Sequence, residues 1–390
     1  MSRPADATTR LVLVLGLAAG ASSLAGRALD PLVGILAAEF AVSAATVALL
    51  GTAYALPYAL IQPVLGPVGD AIGKRRVIRA CLVVLALALA ASAAAPDLTT
   101  LSVLRVVAGA ASGGVFPLTI AVIGDNVPME RRQVALSRLL VAGLTGWAGG
   151  SALAAALEPF IGWRGVMLLC AAAAVAGLVV LRQRDVVPPG RKLDLSDALM
   201  RYRGIIALPA ARVLYFSVFV EGALVFGIFP FLAPTFEARG IGGALEAGLA
   251  LTAFACGGFA FGALAPAMLR GLGQARMMLL GGGFAAAGLA VLAVAPAAPL
   301  AIGCCLVLGL GFYMVHTSIQ TRVTEVAPQS RGSAVSLHAF HFFLGQSLGP
   351  VLMGAMRALF GPAVALLAAG AGLLALAAWL SRRYRAPPGR

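Results

Sequence analysis

Arg27 and Asp30 stand three residues apart in a stretch that is otherwise apolar or small, and on a helix that spacing puts both side chains on one face. Gly20 and Ser23 continue the stripe, which suits a surface turned toward an internal cavity. A carboxylate beside a guanidinium in an apolar setting is pulled two ways, because burial disfavours its ion and the neighbour favours it. Asp30 is therefore suited to exchanging a proton as access to water changes; the alternative is a permanently ionised structural pair. Glu221 is the other acid well inside an apolar stretch. It is a second proton-carrier candidate, or else the partner of an Arg near one membrane face. Arg105 joins this set, since a charge in a membrane helix costs at least ~2.5 kcal/mol and needs a partner or water unless it snorkels to the interface.

Polar side chains also recur at helical spacing: Tyr54, Tyr58 and Gln62; Tyr313, His316 and Gln320; His338 and His341. Lipid disfavours such stripes, so they should turn inward. With Trp147, the residues Tyr54, Tyr58, Gln62, Tyr313, His316, Gln320 and His341 are candidates for lining a substrate cavity, although each is equally suited to tying helices together. Three histidines lack an acid or Cys that would complete a metal site, so neither metal nor cofactor is expected.

The elements that hold these residues follow from composition. The 390 residues are 61% hydrophobic and 11% charged, with a mean hydropathy of +0.96. A soluble chain carries roughly a quarter of its residues as charges, so a cytosolic enzyme, a secreted disulfide scaffold and a disordered chain are excluded. Twelve apolar runs are long enough to cross a hydrocarbon core: 11–38, 46–68, 77–95, 99–123, 134–157, 163–181, 213–235, 247–269, 277–295, 300–323, 333–358 and 362–381. They are continuous rather than alternating, so the fold class is an all-α membrane protein. The first run reads as a retained span rather than a signal peptide.

The net charge of +14 sits in short basic clusters between those runs, as topology signals rather than a nucleic-acid surface. With the N-terminus inside, 24 of the 29 Lys and Arg residues fall on the cytoplasmic side, which places both termini there. Residues 182–212 divide the chain into halves, 1–181 and 213–390, and within them Ser196 is a candidate cap for a short helix through Arg203 lying along the inner membrane face, the alternative being a solvated charged loop. The halves repeat: Asp125-x-x-Pro128-x-x-Arg131 recurs as Glu325-x-x-Pro328-x-x-Arg331, and Gly149 corresponds to Gly349. Paired six-helix halves build a midplane site and rock around it.

Between the second and third runs the chain reads Gly66-Pro-Val-Gly69-Asp70-Ala-Ile-Gly73-Lys74-Arg75-Arg76. This resembles the signature loop of the major facilitator superfamily, G-x-L-A-D-R-x-G-R-K, with departures at Val68, Ala71 and Lys74. Arg105-x-x-x-Gly109-x-x-x-Gly113 is similar to a second motif of that superfamily. Asp30-Pro31 and Leu36-Ala-Ala-Glu39-Phe40 resemble the first helix of its bacterial drug and sugar exporters. Where antiporters show G-P-x-x-G-G, this chain has Trp147 in place of the Pro, whereas Gly349-Pro350 is kept in the second half.

The resemblance implies two pseudo-symmetric six-helix halves and alternating access. It implies a conformational latch among Gly66, Asp70, Gly73, Lys74, Arg75, Asp125 and Arg131. It also implies proton carriage at Asp30; Arg27, Glu221 and Arg105 complete the set of proton-coupling candidates. The expected function is proton-coupled transport of a small organic molecule, with drug or metabolite efflux favoured over uptake of a sugar- or nucleoside-like solute or a non-transporting sensor. The expected partners are that molecule, protons and the lipid bilayer of the cell's inner membrane, in a monomer that binds no nucleic acid. No phosphate loop of the G-x-x-x-x-G-K-S/T type occurs, so hydrolysis of ATP by this chain is not supported.

Overall fold

The computed structural model describes residues 4–181 and 195–384, all of whose regular structure is helical. The first half comprises α1 (Pro4–Arg27), α2 (Val33–Glu39), α3 (Ala44–Ile72), α4 (Lys74–Ser92), α5 (Leu98–Ser112), α6 (Val115–Asn126) and α7 (Met129–Val180). A linker helix α8 (Leu195–Ala207) follows. The second half has α9 (Pro209–Phe226), α10 (Leu232–Ala238), α11 (Ala244–Val294), α12 (Ala298–Val326), α13 (Arg331–Phe360) and α14 (Pro362–Arg383).

These become twelve crossings for local reasons. Pro31 and Pro230 cannot donate a backbone hydrogen bond, so α1 and α9 each break into a 3-10 turn, Asp30–Leu32 and Phe229–Phe231, before continuing as α2 and α10. The double-length helices α7 and α11 reverse at Gly162 (φ 65°) and Gly273 (φ 71°). Gly73 (φ 103°) and Gly361 (φ 84°) start α4 and α14 in the same left-handed region, where a Cβ is disfavoured. The pairs Gly73 and Gly273, and Gly162 and Gly361, occupy equivalent turns of the two halves. Ser43 caps α3 by accepting from the Thr46 N–H at 3.1 Å, and Asp97 caps α5 through the Thr100 N–H at 2.8 Å.

Close backbone approach repeats the symmetry. A Cβ on Gly109 would lie 2.1 Å from the Tyr54 carbonyl oxygen, and one on Gly309 would lie 2.0 Å from that of Phe254. The second superfamily motif is thus a packing device that brings α5 against α3, and α12 copies it against α11.

Lys74, Arg76 and Arg131 mark one end of the bundle, the basic face. Direct contacts between the halves run from the opposite face to mid-depth. Positions 45 and 354 approach there, the Thr52 hydroxyl donates to the Ser347 carbonyl at 2.5 Å, and Tyr58 meets Phe343 with ring centres 4.1 Å apart. Nearer the basic face, Val141 of α7, Leu264 of α11 and Gln320 of α12 are exposed. The molecule is closed on the face opposite its basic loops. The linker helix ties both halves at the basic side: its Tyr202 hydroxyl donates to the Pro63 carbonyl at 3.1 Å and also hydrogen-bonds Ser336. Leu199 and Met200 of that helix are exposed, as expected of a helix lying against lipid. The cap expected at Ser196 is replaced by a helix that already includes it, and residues 182–194 of the expected linker lie outside the described residues.

Candidate functional site

The break in α1 builds the first half of the site. Pro31 has no N–H to give the Arg27 carbonyl, and the Ser151 hydroxyl of α7 donates to that oxygen instead, at 3.1 Å. The carbonyls of the turn before it are equally free. Arg105, 1% exposed, donates to Ala25 at 3.1 Å and to Gly26 at 3.5 Å while its guanidinium lies over the Tyr54 ring, 4.1 Å from the centre. A cation at a helix C-terminus completes its unpaired carbonyls and meets the negative end of its dipole. Arg105 does not snorkel; it fixes the backbone that carries Asp30.

Arg27 closes the site. It donates to Asp30 at 3.1 Å, with both residues buried, and its other arm donates to the Gln346 side-chain oxygen on α13. Its guanidinium lies 5.3 Å from the Trp147 ring centre, 4.8 Å from that of Phe226 and 5.7 Å from that of Phe229. The cage therefore combines α7 of one half with α9, its following turn and α13 of the other. Trp147 itself packs on Phe226, Phe229 and Phe254, so the side chain standing in place of the exporters' Pro spans the interface.

In the second half Glu221, 1% exposed on α9, pairs with Nδ1 of His316 on α12 at 2.9 Å. Its partner is thus a histidine of another helix and not the Arg that the alternative reading named. His316 lies between Phe312 and Phe342, with His338 beyond it at 5.3 Å between ring centres. Tyr54 and Tyr58 stack along α3, and Tyr313 packs against Phe254 and Phe312. Gln62 is buried with neither amide atom hydrogen-bonded among the described residues. Gln320 sits one helical turn past His316 on the same face, exposed toward the basic end. His341 stacks on Tyr215 with Nδ1 2.7 Å from its own helix's Leu337 carbonyl, so this imidazole ties α13 to α9.

At the basic face Lys74 bridges Asp70 at 3.0 Å and Asp125 at 2.6 Å. Partial burial pulls the Lys74 pKa down, but hydrogen bonds and attraction from the two carboxylates outweigh it and hold the ammonium above its ordinary range. All three residues belong to the first half, so in this closed-opposite arrangement the cluster joins α3, α4 and α6. Gly73 provides the turn between α3 and α4, Gly66 lies within α3, Arg75 is buried, and Arg131 is exposed in the first turn of α7.

Sequence reasoning did not single out Gln346, Ser151, Phe226 or Phe229 as site residues. Gln346 carried a usable signal, an amide inside the Gly345 to Gly354 stretch where lipid disfavours one.

A family model for the Major Facilitator Superfamily matches residues 15–350. The chain belongs to that superfamily. It is a multi-pass membrane transporter rather than an enzyme. It is 24% identical over 361 residues to the uncharacterized MFS-type transporter YwfA of Bacillus subtilis (strain 168), covering 90% of this chain and 86% of that one. Against the multidrug resistance protein B homolog of Mycobacterium tuberculosis (strain CDC 1551 / Oshkosh) it is 26% identical over 171 residues, 43% of this chain and 32% of the relative. Its fold matches a bacterial homolog of the human lysosomal transporter Spinster in an inward-facing, unoccupied conformation, with a TM-score of 0.78 and 19% identity over 100% of both chains. It also matches the nucleoside transporter NupG, with a TM-score of 0.77 and 16% identity over 96% of this chain and 100% of that one.

Proposed function

We propose that this transporter is a proton-coupled antiporter that exports a small organic molecule from the bacterial cytoplasm across the inner membrane, as a monomer with both termini inside. The observation that carries the reading is the buried Arg27–Asp30 pair whose Arg27 also grips Gln346 of the other half. A charge pair kept at that depth is costly, and intramembrane charges of this kind mark ion and proton pathways. With Asp30 ionised, Arg27 is shared between Asp30 and Gln346. Protonating Asp30 removes its charge, so the charge state of one side chain alters the tie that closes the face opposite the basic loops. Glu221 with His316 is the second proton-exchanging pair.

Tyr54, Tyr58, Trp147, Tyr313 and His316 are the proposed walls of the substrate path, and so aromatic a set favours a flat, lipophilic molecule held by stacking with few hydrogen bonds. Export is supported by the partial likeness to a multidrug resistance homolog. In the state open on the other side, the Asp70–Lys74–Asp125 cluster latches the halves together.

Purified protein in proteoliposomes tests this directly. An imposed proton gradient should drive at least one of ethidium, tetraphenylphosphonium, norfloxacin, uridine or glucose, with Asp30→Asn abolishing the response. The reading fails if none moves, or if Asp30→Asn transports like the parent. Accumulation along the proton gradient instead of against it would make the protein an uptake symporter.

A further inference from the structure

His338 stands out among the buried polar groups of the second half. It is 3% exposed, yet among the described residues neither ring nitrogen has a hydrogen-bond partner, and Oε1 of Glu221 lacks one too. A neutral imidazole carries one donor and one acceptor, and leaving each unmade when buried is unfavourable. Such a group persists where a transient partner arrives during function.

The position of His338 says which partner. At 1.5 Å rise per residue, His338 lies ~10 Å in from the basic-face end of α13, His316 lies ~15 Å from the matching end of α12, and Glu221 lies ~18 Å along α9. The three groups descend in order from the basic face toward mid-membrane. Adjacent members are close: Nδ1 of His316 is 2.9 Å from Glu221, and the two imidazole centres are 5.3 Å apart, a gap that ring rotation or one water bridges. The other titratable groups nearby are His341 on α13, engaged with Tyr215 of α9 and the Leu337 carbonyl, Tyr313 on α12, and Tyr202 of α8, bonded to Ser336 and Pro63. Tyr313 faces Glu221 and His341 faces His338, but no hydrogen bond among the described residues ties either of them to a member of the line.

We propose that His338 is the basic-face end of a proton relay that runs through His316 to Glu221; in the antiport cycle the net flow is from Glu221 out to the basic face, and a pH jump from that face drives the same hops in reverse, as follows. A proton taken up on one nitrogen of His338 makes an imidazolium, which releases the proton of its other nitrogen to Nε2 of His316. His316 then passes its Nδ1 proton to Oε2 of Glu221. One proton enters and one appears on the carboxylate, both rings end neutral in exchanged tautomers, and ring rotation or the reverse hops reset them. No co-reactant is needed. The relay rests on the reading of Glu221 as a proton carrier and adds the route by which the basic face reaches it.

The test uses the full chain in lipid nanodiscs, without substrate. A pH jump is followed by time-resolved infrared absorption of the protonated carboxyl stretch, with the Glu221 band assigned by its loss in Glu221→Gln. His338→Phe should slow protonation of that band by ~100-fold or more, the range a positioned proton-transfer group contributes, while leaving its final amplitude unchanged. His316→Phe should do the same, and His338→Gln serves if His338→Phe does not fold. A parental rate in His338→Phe or His338→Gln overturns the relay alone. If the parent shows no Glu221 band that responds to pH, the relay and the assignment of Glu221 as a carrier both fall, whereas coupling at Asp30 is judged separately in proteoliposomes.

Discussion

Replacing Gln346 with Leu should tip the transporter away from the arrangement seen here. Leu fills nearly the same volume but offers no acceptor, so the Arg27 donor that now reaches Gln346 is left buried and unpaired. A hydrogen bond to a charged group contributes about 1.5–3 kcal/mol. Because this bond joins the two halves, its loss acts on the closed-opposite state and not on a state in which the halves have parted there. An energy of that size corresponds to roughly a 10- to 150-fold shift in the equilibrium between the states. The Arg27–Asp30 pair and the aromatic cage stay in place, which keeps the effect at the lower end of that range.

A disulfide trap reads the shift. The ideal Cβ of Gly354 lies 3.9 Å from that of Ala45 across the closed seam, within the spacing a disulfide needs. In a background where Cys81, Cys170, Cys256, Cys304 and Cys305 are replaced by Ala or Ser, Ala45→Cys with Gly354→Cys should cross-link readily. Adding Gln346→Leu should slow cross-linking by up to about 10-fold, the full factor being reached where the closed state becomes the minority, whereas Gln346→Glu, which strengthens the bond to Arg27, should not slow it. Unchanged cross-linking in Gln346→Leu would refute the claim that this bond holds the seam.

Arg105→Lys should destabilise the protein, because one ammonium cannot reach both α1 carbonyls and lie flat on Tyr54. A loss of about 1–3 kcal/mol, read as a lower melting temperature in detergent, is expected, and a parental melting point would contradict the capping role. Gly309→Ala should prevent folding or expression, since its methyl would overlap the Phe254 carbonyl at 2.0 Å, while Gly303→Ala, with open space around it, should be tolerated. Lys74 has a raised pKa in the folded protein, so its stabilising contribution is complete below its ordinary value and fades only as pH rises through the raised one. A melting curve followed from pH 7 to pH 9 should therefore move no more for the parent than for Lys74→Met, and loss of a parental advantage within that window would show the ammonium is not held as described.

How far the site could be read in advance differs from residue to residue. Arg27 and Asp30 share a helix, so their pairing followed from a spacing of three. Arg105 was seen to need a partner, but its partners are the backbone carbonyls of Ala25 and Gly26 at the end of α1, and no pattern within its own helix names them. The partner of Glu221 was not legible because His316 is on another helix, ninety-five positions further along. Of the residues the resemblance groups as a latch, Lys74 meets Asp70 and Asp125, and in this conformation those contacts stay inside one half.

Sequence by itself determined the solvent, the number of crossings and the repeat, because each depends on local chemistry: apolar length against bilayer thickness, and glycines that readily accept the reversing turns. Tertiary structure decided what the charged groups do. A buried guanidinium or carboxylate is defined by the acceptor or donor that satisfies it, and here those groups come from other helices. The halves' cross-seam contacts, including Arg27 with Gln346 and Trp147 with Phe254, exist only once twelve crossings have packed around a common centre.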